Sequence, residues 1–213
     1  MNTNHKLDDQ WLLSYATGSL SPAQSLMVSS HMAFHDDMQE TVSQAEFISG
    51  ALFQSMDAAR LPNDMLDNIL DKLDSSISPE VTPIASTSSD LPQPVLDFIG
   101  NDTGALKWKF SGRGIRSARL WNGPNDERLW LLEARNGTTV PEHGHNGIEW
   151  TLILKGSYET DLGKFRSGDI DIADENIEHQ PVSDEGCMCL VMTSGPVKLK
   201  SLVGRIAQPF IGL

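Results

Sequence analysis

The stretch from Gly137 to Gly156 limits what this chain can fold into more than any other part of the sequence. It reads GTTVPEHGHNGIEWTLILKG, with one residue between His143 and His145 and with Glu149 four residues further on. In an extended backbone the side chains alternate between two faces, so these three residues would point to the same side. Two imidazoles and a carboxylate on one face predict a binding site for a divalent metal ion.

The spacing of this stretch, G-x5-H-x-H-x3-E-x6-G, resembles the first motif of the cupin family at every fixed position. The second cupin motif is similar to the segment that begins at Gly168 and contains His179. That segment departs from the family at the proline, the second glycine and the asparagine, which are replaced by Asp174, Asn176 and Ser183. The resemblance implies an all-β cupin, a double-stranded β-helix or jelly-roll barrel, whose metal ligands are His143, His145, Glu149 and His179.

The metal expected in such a site is Zn²⁺. Manganese, iron and nickel are alternatives, because they accept the same imidazole and carboxylate ligands. The glycines and asparagine within the first motif also leave a second local structure open. Gly144, Asn146 and Gly147 favour a turn, which would break the predicted strand between the histidines and the glutamate.

Short runs of strand-forming residues follow one another after about residue 95, separated by Gly, Asn and Asp. Examples are LKWKFS, RLWLLEAR and CMCLVMT. This succession predicts an all-β sandwich or small barrel, whose inward-facing residues can carry metal ligands into a cavity.

The first 75 residues instead show helical periodicity. Ser21, Pro22 and Gln24 form the pattern of a capping box with proline in the first turn, which marks the start of a helix. We predict four helices, at about residues 7–16, 22–35, 36–56 and 63–73. Their apolar faces predict a four-helix core that includes Leu26, Phe34, Ile48, Leu52, Leu66 and Leu70.

A solvated linker separates these two kinds of sequence. Residues 76–94 are rich in Ser, Thr and Pro and poor in large apolar side chains. We therefore predict an α+β protein of two domains, with an all-α four-helix module at residues 1–75 and an all-β cupin at residues 95–213.

The net charge of −13 is concentrated in the helical part, where residues 1–75 carry eleven acidic and three basic side chains. Such acidity disfavours direct binding of nucleic acid and favours a basic partner, although it can also serve only to keep a small helical domain soluble. The sequence has neither an apolar run of about 18 residues nor a basic N-terminus followed by an apolar core. We therefore expect a cytoplasmic protein that does not cross a membrane.

Three histidines in the helical part predict a second metal site. His31 and His35 are four residues apart on the predicted second helix, and His5 lies just before the first helix. This layout resembles the zinc-binding anti-sigma family, in which an upstream histidine precedes H-x3-C-x2-C. Here His35 replaces one cysteine and Met38 the other, and methionine is a poor ligand for Zn²⁺. We expect a weaker zinc site and helices that fold without it.

Together, the helical module, the linker, the cupin motifs and the pair Cys187 and Cys189 resemble the ChrR-type anti-sigma factors. The resemblance implies a non-enzymatic protein whose N-terminal helices bind an extracytoplasmic-function (ECF) sigma factor and block its access to core RNA polymerase. It also implies release of that sigma factor on a stress such as singlet oxygen. The apolar residues available for the partner surface, or alternatively for the helical core, are Leu12, Leu13, Leu66, Ile69 and Leu70.

The sequence leaves the role of Cys187 and Cys189 open. They are candidates for redox chemistry or for a further metal ligand, and the competing interpretation is that they are small buried strand residues. Their exposure distinguishes these cases.

Two other functions are compatible with the sequence. A cupin with the four predicted ligands could hold iron or manganese and act as a dioxygenase or isomerase. Against this, a small metal-dependent oxygenase does not need the helical module. The third interpretation is a cupin sensor whose helices have lost partner binding along with the cysteines.

Overall fold

The computed structural model describes residues 5–75, 90–124, 126–195 and 197–199. Its helices are α1 (Asp9–Ala16), α2 (Pro22–Met32), α3 (Asp36–Gln54), α4 (Met65–Ser75) and α5 (Gln93–Phe98). Its strands are β1 (Trp108–Gly112), β2 (Ile115–Asn122), β3 (Glu127–Ala134), β4 (Thr138–Thr139), β5 (His143–His145), β6 (Glu149–Thr160), β7 (Gly163–Arg166), β8 (Ile170–Ala173), β9 (Val182–Ser183), β10 (Cys187–Ser194) and β11 (Val197–Leu199). The predicted α+β class, with helices first and an antiparallel cupin sheet after them, is confirmed.

The helix starts follow from the capping residues of the sequence. The side chain of Asp8 accepts hydrogen bonds from two backbone amides in the first turn of α1. In α2, Ser21 accepts from the Gln24 amide at 3.2 Å, and the Gln24 side chain accepts from the Ser21 amide at 3.1 Å, so the predicted capping box is confirmed. The four predicted helices are present, and α5 is an additional helix that begins inside the predicted linker.

Nine of the described strands form one curled antiparallel sheet in the order β1-β2-β3-β10-β6-β9-β4, with β7 and β8 also paired to β6. The other two, β5 and β11, pair with each other in a separate antiparallel sheet. The long strand β6 pairs with β8 along its first half and with β7 and β9 along its second half. The change of partner falls near Gly156, whose φ is +76° and where an added Cβ would lie only 1.9 Å from the Gly186 carbonyl oxygen. This position of the cupin motif therefore requires glycine.

Alternation along the strands divides the apolar side chains between two faces of the sheet. The face toward the helices carries Leu129, Leu131, Trp150, Leu152, Leu190 and Met192. The inner face carries Trp130, Ile153, Tyr158, Phe165, Cys189 and Val191. Glu149 shares its parity with Ile153 and not with Trp150, so its side chain belongs to the inner face.

Helices α1 and α2 pack on the outer face of the sheet, α3 packs mainly on α1 and α5 on α2, and all four share one apolar core with the sheet. The ring of Trp11 on α1 meets the ring of the fully buried Trp150 edge-on, with 4.5 Å between centroids. Ser21, at the start of α2, donates a hydrogen bond to the side chain of Glu127 on β3. The helices therefore draw much of their buried surface from the cupin, and the prediction of a separate four-helix core is wrong.

The helix α4 lies outside this shared core. Every α4 side chain described, from residue 65 to residue 73, is exposed. The second half of α3 is similar, because its apolar side chains beyond Ala45 are also exposed. Of the residues predicted for the helical core, Leu26 is buried and the others are exposed: Phe34, Ile48, Leu52, Leu66 and Leu70.

The helical part and the cupin are packed against each other, although the predicted linker of nineteen residues suggested two separate units. α5 packs on α2, and its Val95 is fully buried in the shared core. Residues 76–89 of the predicted linker lie outside the described residues. Among the helices that the structure describes, none combines the length and the hydropathy needed to span a membrane.

Candidate metal centre and partner surface

Four side chains from the two cupin motifs meet on the inner side of the curled sheet. The Nε2 atom of His179 lies 3.1 Å from Nε2 of His143 and 3.3 Å from Nε2 of His145. A carboxylate oxygen of Glu149 lies 3.6 Å from the same His179 nitrogen. One donor atom from each of the four residues falls within 4.8 Å of the others, and none of these residues is more than 7% exposed.

These separations fit a bound metal ion. Ligand nitrogens about 2.0–2.1 Å from a zinc ion lie roughly 2.8–3.4 Å from one another in octahedral or tetrahedral geometry. Three imidazole nitrogens this close cannot all be paired with each other, because a hydrogen bond needs one donor and one acceptor and each nitrogen offers a single in-plane position. All three can direct a lone pair at one cation. The group can therefore bind a divalent metal, as the cupin motifs predict.

A turn, and not one continuous strand, brings the glutamate to the histidines. His143 and His145 lie on β5, the chain leaves the strand at residues 146–148, and Glu149 opens β6. The prediction from simple alternation is therefore wrong, and the alternative of a turn is confirmed. At Gly147 an added Cβ would lie 1.8 Å from the carbonyl oxygen of Ser194, so the turn passes too close to β10 for any other residue.

His179 reaches the site from the segment before β9. Reciprocal backbone hydrogen bonds of 3.1 and 3.0 Å join it to His143, which fixes the two imidazoles side by side. The Nδ1 atom of His143 lies 2.8 Å from the carbonyl oxygen of Pro141. A proton on this Nδ1 leaves Nε2 with a free lone pair, which is the tautomer that a metal ligand requires.

The protonation equilibria of the group reflect its burial. Burial, with the neighbouring His179, lowers the pKa of His143 to about 4, so this imidazole is neutral near pH 7. Burial also raises the pKa of Glu149 to about 7. For His179, burial lowers the pKa, but Asp171 and Glu149 together outweigh it and raise the pKa above its ordinary value. The neutral form of His143 keeps a lone pair available for a metal ion, and Asp171 and Glu149 favour positive charge at His179.

The three N-terminal histidines do not form a comparable group among the described residues. His31 and His35 are close, with ring centroids 4.8 Å apart, and His35 Nε2 lies 2.9 Å from the Gly168 carbonyl oxygen. His5 turns to the cupin, where its ring stacks on Phe165 at 4.2 Å. His5 and His35 thus both contact the cupin near the turn between β7 and β8, and zinc binding by the three histidines stays a prediction.

Cys187 and Cys189 are both buried on β10, with their sulfur atoms 3.8 Å apart. The hydrogen bond from Cys189 lowers the pKa of Cys187 to about 7, and the same contact raises the pKa of Cys189 well above its ordinary value. Neither residue belongs to the four-donor group. Their burial supports the interpretation as strand residues of the inner face.

The residues predicted for a partner surface divide into two sets. Leu12 is only 2% exposed and lies in the shared core, so its assignment to the surface is corrected. Leu13, Leu66, Ile69 and Leu70 are exposed. The structure adds large apolar side chains that sequence analysis had assigned to the core or left unassigned: Phe47, Ile48, Leu52, Phe53 and Met56.

Fold and site together define a cupin with a buried group of three histidines and one glutamate, preceded by helices whose large apolar side chains are left exposed by the described part of the chain. A family profile described as "ChrR Cupin-like domain" matches residues 97–198. Over 212 residues the chain is 32% identical to the anti-sigma-E factor ChrR of Cereibacter sphaeroides, covering 99% of both proteins. The chain belongs to the ChrR family of anti-sigma factors.

A solved structure supports the same assignment. In the crystal structure of Rhodobacter sphaeroides SigE in complex with the anti-sigma ChrR, a 31% identical chain superposes with a TM-score of 0.74, covering 89% of this chain and 98% of that one. The predicted fold class and the resemblance to anti-sigma factors are confirmed. The relationship also places the chain among regulators and not among the metal-dependent cupin enzymes.

Proposed function

We propose that this protein is a cytoplasmic anti-sigma factor that binds an ECF-type sigma factor through its N-terminal helices. By covering the sigma factor it blocks access to core RNA polymerase. The cupin binds one divalent metal ion and controls release of the sigma factor on a stress such as singlet oxygen. The observation that carries this proposal is the apolar surface of α3 and α4 that is exposed among the described residues, in a chain related over its full length to a protein crystallised with a sigma factor.

The α4 helix has the pattern of an amphipathic helix whose partner is another molecule. Leu66, Ile69, Leu70 and Leu73 form a stripe at helical spacing, and each of them is at least 46% exposed. Within the described residues nothing buries this stripe. Monomeric proteins rarely leave such contiguous apolar surface in water, and amphipathic helices of this kind bind in the grooves of partner proteins.

The second half of α3 enlarges this surface. Phe47 and Phe53 are 80% and 75% exposed. Burying a large apolar side chain in an interface contributes about 1.5–3 kcal/mol, and several such residues together offset the cost of association. A sigma factor that covers α3 and α4 would therefore be bound mainly by apolar contacts.

The charge of the helices suits a basic partner. Asp67 and Asp71 lie between the apolar residues of α4, and Glu40 and Glu46 lie along α3. Sigma factors are basic because they bind DNA and polymerase, so complementary charge would steer association without supplying most of the affinity.

The cupin metal site is connected to the helices through β6. Glu149 supplies a donor on the inner face, and the next residue, Trp150, packs on Trp11 of α1 on the outer face. A change at the metal site that moves the start of β6 would therefore also move Trp150 in the shared core. Zn²⁺ is our proposed metal, because three imidazoles and one carboxylate in a buried site suit it.

The burial of all four donors also bears on the enzyme alternative. None of them is more than 7% exposed, but His179 also lines a cavity of about 590 Å³ together with Glu142 and Glu178. The preference for a regulator over an enzyme therefore rests on the relationship to ChrR and on the apolar helices, and not on closure of the site.

The proposal is tested by affinity purification of the tagged full-length protein from the cells in which it naturally occurs. We expect an ECF-type sigma factor to co-purify. Leu70→Asp should abolish co-purification, because it places a charge in the apolar stripe. Asn68→Asp is a matched control, since it adds the same charge to the polar side of α4 and should retain the partner. A folded wild-type protein that retains no sigma factor would contradict the proposal.

A further inference from the structure

A second buried carboxylate lies directly behind the metal ligand His179. Asp171 is on β8, is 4% exposed, and accepts a hydrogen bond of 2.8 Å from the hydroxyl of Tyr158. The same carboxylate oxygen lies 3.7 Å from Nδ1 of His179. Burying a carboxylate is costly unless it is paired, so this arrangement needs an explanation.

His179 uses its two ring nitrogens differently. Its Nε2 faces the other two ligand histidines, at 3.1 and 3.3 Å. Its Nδ1 is fully buried on the other side of the ring and makes no hydrogen bond within the described part of the chain. A buried donor without a partner costs about 1–3 kcal/mol.

Comparison with His143 shows what His179 lacks. His143 has the Pro141 carbonyl oxygen 2.8 Å from its Nδ1, so its outer nitrogen has an acceptor. For His179 a carboxylate oxygen of Asp171 lies on the Nδ1 side, just beyond hydrogen-bond distance. A side-chain movement of roughly 1 Å closes this gap to an ordinary hydrogen bond.

We infer that Asp171 is a positioning residue for His179, and that Tyr158 in turn fixes Asp171. When Nε2 of His179 binds a metal, its Nδ1 carries the proton and donates it to the Asp171 carboxylate. This hydrogen bond holds the ring in the orientation that the site needs and makes Nε2 a stronger donor. The inference rests on the metal binding proposed above and adds two residues that support it.

The position of Asp171 argues against a role as a fifth ligand. It lies on the Nδ1 side of the His179 ring, whereas the other donors are gathered at Nε2. The described residues whose donor atoms lie within 4.8 Å of one another do not include it. Asp171 therefore acts through His179 and not on the metal itself.

The test measures zinc affinity of the full-length protein by competition with a chelator. Asp171→Ala should weaken zinc binding about 10–100-fold, the usual cost of losing such an outer partner. Asp171→Asn should weaken it less, because the amide oxygen still accepts a hydrogen bond. Tyr158→Phe should have a smaller effect than Asp171→Ala. Asp174→Asn, the same substitution at an exposed position after β8, should leave the affinity unchanged.

Thermal unfolding of the metal-free proteins separates positioning from a general role in folding. If Asp171→Ala fails to fold, Asp171→Asn and Tyr158→Phe carry the test, because both nearly preserve side-chain volume. Their double variant should bind zinc no more weakly than Asp171→Asn alone, since Tyr158 acts through Asp171. Lowered stability with unchanged zinc affinity would overturn the inference. A wild-type protein that binds no zinc would instead overturn the proposed metal site.

Discussion

His31 should make the folded protein sensitive to acid, and its surroundings determine the size of the effect. Its side chain is fully buried on α2, beside the ring of His35. Burial, followed by the nearby His35, lowers the pKa of His31 from 6.5 to about 4. Lys6 also lowers this pKa, and the Gly168 backbone and Asp169 only partly oppose these effects, so the folded protein favours the neutral imidazole.

The sign of the effect follows from this lowered pKa. Between pH 6.5 and about 4 the unfolded chain binds a proton at His31 that the folded chain does not. The stabilising contribution is therefore complete above pH 6.5 and is lost as the pH falls toward 4. A shift of this size corresponds to about 3 kcal/mol at 1.36 kcal/mol per pKa unit.

The assay is urea unfolding of the full-length protein at several pH values, compared with His31→Leu at the same metal content. Other titrating groups are common to both proteins and cancel in the difference. The wild type should lose about 3 kcal/mol more than His31→Leu between pH 7 and pH 4. Parallel pH profiles would refute the reasoning. A difference that disappears when a chelator is added would show that His31 binds metal.

Three further outcomes are expected. Metal analysis after growth with zinc, manganese and iron should find about one divalent ion per full-length chain, and His179→Ala should greatly reduce it; about two ions per chain would mean that the N-terminal histidines also bind metal. Trp150→Ala should lower the free energy of unfolding by about 3–5 kcal/mol in a denaturant titration, and a loss below about 1 kcal/mol would contradict the shared core. A thiol reagent should modify the buried Cys187 and Cys189 far more slowly in the native protein than in the unfolded chain, whereas equal rates would contradict their burial.

The metal site could be predicted from sequence because most of its ligands lie close together along the chain. Three of the four donors fall within seven residues, and a second motif identifies His179. Asp171 could not be found in this way, because its importance comes from β8 lying beside β6. The alternation of GDIDIA does place Asp171 and Asp169 on one parity, but only the folded sheet distinguishes the buried carboxylate from the more exposed one.

The helices themselves were predictable, but what they pack against was not. Caps and helical periodicity give the starts of α1 and α2, since those signals lie within a few residues. Apolar residues lie around much of α2, which is buried as that pattern predicts, whereas α4 has a single apolar stripe, which is exposed. An apolar face indicates that a helix has a partner without indicating whether the partner is the same chain. The contact of His35 with the Gly168 carbonyl oxygen could not be predicted for the same reason, because it joins residues that are far apart in the sequence.

The exposed apolar surface of α3 and α4 is the part of the protein that we propose holds a sigma factor away from polymerase. The most direct measurement is transcription by core RNA polymerase with the ECF-type sigma factor of the same cell, as the purified protein is titrated in. Wild type and Asn68→Asp should stop transcription near one molecule per sigma factor, and Leu70→Asp should not. Full transcription in the presence of excess folded wild-type protein, or equal inhibition by Leu70→Asp, would contradict the account.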